Sequence, residues 1–429
     1  MKRTIQFAGI LIFTMSILSS CSPSSGGEAQ SDLPRDLSPQ VSDPDLAELV
    51  GGNNGFAFDL YRQISSDDGN LFYSPYSISI ALAMTYAGAN NQTADQMATA
   101  LHFTLPQEKL HPAFNKLALE LDSRSKAERV KPDQAFQLSV ANSLWGQIDF
   151  SFRQDFLDML ARNYAAGMRL VDFQKDPEAA RKAINEWVYS ATKEKIEDII
   201  PDPPPELITV MTRLVLANAV YFKAAWLNPF DPDATQPGDF HLPDGSAVEA
   251  PMMRQTTGLR WMDGNGYLAV ELPYAGGQVS MLILLPDQGR FHDIEKDLDA
   301  GWLDATVAGL QSVQVNLALP KFEFDWTADS LPEKFEALGM VDAFDVDLAD
   351  FSGMTGKPNL YIGAILHKAF VAVDESGTEA AASTVVIMLE KAIAAKPVDV
   401  TVDRPFFFLI RDNPTGTILF LGRVMNPSA

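Results

Sequence analysis

The sequence predicts an α+β fold. Helix signals gather in its first half, and strand signals dominate its second half. A third observation fits neither pattern. Near the C-terminus, Glu375 to Ile387 runs from a glycine through a series of tiny side chains into a series of β-branched ones. Such a segment reads as a strand that lacks a sheet partner where it begins, and function turns on it.

The first element is a leader. Lys2 and Arg3 precede an apolar run from Ile5 to Leu18, and Leu18-Ser19-Ser20-Cys21 then ends small residues at a cysteine. This resembles a bacterial lipobox. Residues 1–20 are expected to be a signal peptide cleaved before Cys21, with a lipid on that thiol. The apolar run is too short for a transmembrane helix. Residues 21–45, rich in Ser, Pro, Gly, Gln and Asp, read as a flexible tether with no core of its own. From Asp45 no internal break or repeat appears, so residues 46–427 are expected to form one domain.

Within that domain the helices announce themselves by their caps. Ser74-Pro75 starts one that Gly88 stops, with Ile78, Ala81, Leu82, Thr85 and Tyr86 near one face. Thr93 with Gln96 has the spacing of a capping box. Asp176-Pro177-Glu178 opens another helix, carrying Ala180, Ile184, Trp187 and Val188. Pro201 to Pro205 reads as a rigid loop. Among the strands, Val279 to Leu285 follows a Gly276-Gly277 turn. Phe406 to Ile410 and Ile418 to Leu421 flank Asn413-Pro414-Thr415-Gly416 as a buried hairpin.

The segment after Glu375 admits two local readings. Ser376 to Glu379 fits a capping box and alanines favour helix. Against that, Thr384 to Ile387 are β-branched. Alternate residues Thr378, Ala380, Ala382, Thr384, Val386 and Met388 would line one buried strand face, while the other phase begins with Glu379. Local sequence leaves both open.

Composition narrows the function. A net charge of −23 excludes a nucleic-acid partner and adsorption to anionic membrane through a basic patch. There is no Gly-x-Ser-x-Gly elbow, zinc helix or phosphate-binding loop. The five histidines lack metal-ligand spacing, and the one cysteine, Cys21, lies outside the domain. No metal, cofactor or enzymatic activity is expected.

Motifs in order then identify a family. Asn70 to Ser79, Asn218 to Trp226, Gly353-Met354-Thr355, His367-Lys368-Ala369-Phe370, the run from Glu375 to Thr384, Val402 to Phe406 and Phe420 to Pro427 together resemble a serpin over nearly all of residues 46–427. Pro201 to Pro205 departs from the family, which has a shorter glycine-containing turn there.

The resemblance implies three β-sheets, about nine helices and an exposed reactive-centre loop over about residues 375–404. It also implies a suicide mechanism. A serine protease attacks the loop, and the cut loop enters the main sheet as a new strand and drags the acyl-enzyme across the molecule. Insertion of about 15 residues, at ~1 kcal/mol per hydrogen bond with burial at ~25 cal/mol per Å², makes that move downhill.

Roles follow residue by residue. The hinge comprises Glu375, Gly377, Thr378, Ala380, Ala382 and Thr384, small and uncharged where entry begins. Glu375 is expected to pair with Lys321, and Trp226 to pack where insertion starts, both at the top of the main sheet. Ser74, Ser77, Asn218 and His367 resemble the polar cluster beneath the strands that part. Counting about 14 residues on from Gly377 places the reactive bond at Lys391-Ala392, with Met388, Leu389 or Lys396 as other registers. Lysine suits the acidic pocket of a trypsin-like protease.

The expected protein is therefore a monomeric serine protease inhibitor held at the cell envelope or extracellular surface by the lipid on Cys21. An exposed strand brings a liability to polymerise. The other readings are a non-inhibitory binding or carrier serpin and an inhibitor of papain-like cysteine proteases.

Overall fold

The computed structural model describes residues 27–66, 69–126, 136–202, 207–328, 330–378 and 396–428. The leader, Cys21, the hinge residues Ala380, Ala382 and Thr384, and the expected bond Lys391-Ala392 lie outside them.

The α+β prediction is borne out. Ten α-helices and two hydrogen-bonded sheets form among the described residues. Where three sheets were expected, two are joined into one because the 17-residue strand Ala247–Asp263 serves both. Its first part pairs with Gln236–His241, its middle with Gln311–Pro320 and its end with Tyr267–Pro273.

The other sheet has seven strands and positions the site. Its middle is Leu214–Ala225, flanked on one side by Gln137–Gln147 and on the other by Ala364–Val373. Alternation along Leu214–Ala225 gives each face a core. Leu216, Val220 and Phe222 point into the main core, whereas Val215, Ala217 and Ala219 pack against Ile184 and Val188 of helix Pro177–Ala191. On the main-core side, helix Pro75–Tyr86 is buried along its whole length.

Local signals performed unevenly. Ser74 and Asp176 cap their helices as their sequences predict, each side chain accepting from the backbone N–H three residues on. The hairpin Phe406–Asp412 with Ile418–Val424 is present and fully buried. Thr93 and Gln96 do not form a capping box. Helix Asn91–Ala100 begins earlier, and both side chains bind other segments, Thr93 the Asp350 N–H and Gln96 the N–H groups of Val341 and Asp342.

The tether expectation needs correction. Gly27–Ala29 adds an antiparallel strand to the edge of the seven-stranded sheet, against Met168–Val171. Residues 30–42 then strap the helices beside it. Ser31 donates to Asp158, Arg35 to the Asn115 side-chain oxygen and the Asp36 N–H to the Arg162 carbonyl. The first helix, Asp43–Ile64, starts within the predicted tether. Composition reads as disorder here because the strap borrows the domain's core and backbone partners instead of forming its own.

No helix among the described residues is long and apolar enough to cross a membrane, and no group of three or more His, Cys, Asp and Glu is placed to hold a metal ion.

Candidate functional site at the opening of the central sheet

Strands Leu214–Ala225 and Ala364–Val373 are parallel neighbours, paired directly from Val215 with Ala364 to Val220 with Ala369. Above that level they part. Into the gap comes the start of the hinge, where Gly377 pairs with Ala225, and Thr378 pairs with Ala224 on one side and Val373 on the other. The sheet is thus closed along most of the seam and wedged open at one end by two residues. As far as Thr378 the ambiguous segment is a strand.

Each residue of the wedge has a physical reason to be what it is. A Cβ on Gly377 would lie 2.1 Å from the Ala224 carbonyl oxygen and 2.7 Å from the Ala225 Cα, at a φ of +155°. Only glycine permits that approach. Asp374 turns the chain back, its carboxylate accepting from the N–H groups of Ser376 and Gly377, and its N–H donating to the Gly377 carbonyl. Thr378 is buried, and its hydroxyl shares a 2.7 Å hydrogen bond with that of Tyr274. Tyr274 stacks on Trp226, with ring centroids 4.6 Å apart and planes 7° from parallel. Trp226 fastens the turn at two points. Its ring N–H donates to the Asp374 carbonyl and its backbone N–H to the Ser376 carbonyl.

Glu375 lies across the mouth of the gap. Its carboxylate meets Lys321 Nζ at 2.8 Å, as the resemblance implies, and also accepts from the Thr235 hydroxyl at 2.8 Å. Burial works to raise this carboxyl's pKa. The hydrogen bonds from Lys321, the backbone and Thr235 outweigh it and hold the carboxyl below its usual range.

Further down the seam sits the polar cluster. Strand register puts Asn142, Asn218 and His367 in one row across three adjacent strands. All three reach toward the N-terminus of helix Pro75–Tyr86. His367 Nδ1 bonds the Asn218 side-chain oxygen, and the Asn218 amide donates to both Asn142 and Ser77. The Ser74 N–H donates to His367 Nε2 at 3.3 Å, and the Ser74 hydroxyl, besides capping the helix, donates to the Leu419 carbonyl at 2.7 Å. An acceptor role at Nε2 fixes the proton on Nδ1, so the ring is neutral. Complete burial agrees, pushing the His367 pKa down to about 3. The cluster fastens the parallel pair below the wedge to the helix behind it. Parting the strands breaks the bond between Asn218 and His367.

The structure therefore brings Ser74, Ser77, Asn218 and His367 together in one cluster, and Glu375, Gly377, Thr378, Lys321 and Trp226 in another. Sequence reasoning missed Asn142, Tyr274, Asp374 and Thr235. Asn142 left no distinct signal, because strand Gln137–Gln147 also carries Gln137, Ser139, Ser143 and Gln147. The others act through geometry that only the assembled sheet supplies.

Fold and site together define a protein built round a sheet that its own loop has begun to open. A family model described as serpin (serine protease inhibitor) matches residues 51–427. An uncharacterised serpin-like protein of Thermococcus kodakarensis is 38% identical, over 95% of this chain and 92% of the relative. The leukocyte elastase inhibitor of Equus caballus is 37% identical, over 89% of this chain and all of the relative. Among solved structures, that of the thermophilic serpin Tengpin in the native state superposes with a TM-score of 0.80, at 29% identity, covering 94% of this chain and all of that one. The chain belongs to the serpin family.

Proposed function

We propose that this chain inhibits serine proteases as a suicide substrate, trapping the acyl-enzyme by inserting its cut loop into the seven-stranded sheet. The observation that carries the reading is the two-residue wedge, with Gly377 and Thr378 already paired on the line that an inserted strand would extend. Next in the sequence, Ala380, Ala382 and Thr384 are small and uncharged. Lysine at 391 suits trypsin-like proteases. We further propose that residues 1–20 are removed and that a lipid on Cys21 holds the mature chain at the cell envelope as a monomer.

Incubation with trypsin tests the inhibitory reading. A covalent complex that survives SDS is expected, with loss of protease activity at near-equal molar ratio. Clean cleavage of the loop without a complex would reject it and favour a non-inhibitory binding protein. A complex with papain alone would move the target class to cysteine proteases.

A further inference from the structure

The point where the tether leaves the domain bears on how the protein sits at its anchor. Gly27 pairs with Leu170, Leu170 with Gly146, and Gly146 with Leu214, the first residue of the central strand. The wedge pairs with Ala224 and Ala225, at the last residues of the same strand. At ~3.3 Å per residue, those two levels are about 36 Å apart. The tether and the hinge therefore belong to opposite poles of the sheet.

The tether pole is also the apolar one. Nine large hydrophobic side chains are exposed among the described residues, and six of them, Ile148, Val210, Met211, Val341, Val346 and Leu348, lie at this end. Their placement follows from hydrogen bonds below the start of the central strand. Gln147, just before Ile148, donates its N–H to the Arg213 carbonyl. The Tyr361 hydroxyl donates to the Met211 carbonyl at 2.7 Å, and the Ile362 N–H to the Ala343 carbonyl at 2.9 Å. These ties gather the turn at 210–211 and the segment 341–348 at one end. Val210, Met211, Val346 and Leu348 are each more than half exposed, at 54%, 58%, 62% and 56%.

We propose that this pole rests on a zwitterionic phospholipid surface, with Met211, Val210, Val346 and Leu348 entering the headgroup layer and the hinge pole facing away. The inference rests on the lipid-anchor reading above. Six backbone steps lead from Cys21 to Gly27, a span of at most about 21 Å at ~3.5 Å per step. An acyl chain on Cys21 thus holds the tether pole within that reach of the bilayer, and the shorter the leash, the higher the local concentration of lipid for weak apolar contacts. The Arg213 guanidinium beside Met211 is turned onto the Val210 and Thr212 carbonyls, and the carboxylates that alternate with Val346 and Leu348 are those of Asp345 and Asp347. They repel anionic lipid and leave a neutral headgroup layer as the partner.

The test uses the mature lipidated protein in vesicles of phosphatidylethanolamine and phosphatidylcholine. With Cys21 acylated, Met211→Cys and Asp233→Cys each offer one thiol for an environment-sensitive fluorophore, at the tether pole and the hinge pole respectively. Spin-labelled lipid should quench the label at 211 several-fold more than that at 233. Replacing Val346 and Leu348 with Asp should abolish the difference while leaving the protein in the detergent phase on extraction. Equal quenching at both sites, with lipid on Cys21 confirmed by mass, overturns the orientation alone. A label at 211 shielded from aqueous iodide yet untouched by quenching lipid means that protein covers this pole, and overturns it too. A free Cys21 thiol overturns the anchor, and the proposal with it.

Discussion

Asn218 and His367 face each other across the seam between two parallel strands, joined by the hydrogen bond that must break before those strands can part. That bond is one link of a row. The Asn218 amide also serves Asn142 and Ser77. Asn218→Ala leaves several buried polar atoms without partners, at roughly 1–3 kcal/mol each. The variant should unfold at a distinctly lower denaturant concentration and polymerise at a lower temperature. Chemical denaturation and native gels after mild heating would check this, and an unchanged midpoint would contradict the latch described for the seam.

The same histidine makes stability depend on pH. Its native pKa lies near 3 and that of the unfolded chain near 6.5. Above pH 6.5 both states are neutral at this site and nothing is lost. Between 6.5 and 3 the unfolded chain binds a proton that the native ring refuses, so stability falls by about 1.4 kcal/mol per pH unit. His111, buried with its pKa pushed down to about 4, acts in the same direction down to that pH. Denaturation midpoints from pH 8 to 4 should decline below about 6.5, and His367→Gln should reduce the slope. A slope that the substitution leaves intact would assign the dependence elsewhere.

Thr378 is the first side chain to enter the core, where it meets the Tyr274 hydroxyl. Thr378→Arg would force a guanidinium into the buried position where the Thr378 hydroxyl now meets that of Tyr274. The variant should be cut by trypsin as fast as the parent and form no stable complex. Measured turnover and gel analysis of the products decide it. Inhibition that survives the change is incompatible with entry through this wedge.

Reaction with trypsin should also mark the reactive bond. Mass spectrometry of the released C-terminal peptide is expected to begin at Ala392. A peptide beginning after Met388, Leu389 or Lys396 would reset the register and, for the first two, shift the target away from trypsin-like enzymes.

The sequence carried the site further than the fold's edges. Ser74, Ser77, Asn218 and His367 could be assembled before any strand was placed, because each belongs to a local motif that resembles the family's. Glu375 with Lys321 was legible for the same reason. The N-terminal strap was not. Residues 27–42 have the composition of a linker, and their order comes from partners such as Asn115, Asp158 and Met168 that lie far along the chain. Tyr274 and Asn142 were hidden likewise, since what makes them matter is which strand lies opposite. The union of two sheets depends on the reach of a single long strand, a feature that period-two alternation does not report.

The wedge of Gly377 and Thr378 bears on kinetics as well as architecture. Starting a new strand inside a closed ladder requires two paired backbones to separate before the first new bond forms. Here Gly377 and Thr378 are already paired in the uncut molecule, so under the proposed mechanism only propagation of a fork would remain. At each step of its advance, one parallel pairing between the flanking strands would be exchanged for two antiparallel ones, with a side chain seated beneath at every second step, small ones first. A race against hydrolysis of the acyl-enzyme would then be decided by the speed of a moving junction and not by the chance of its formation.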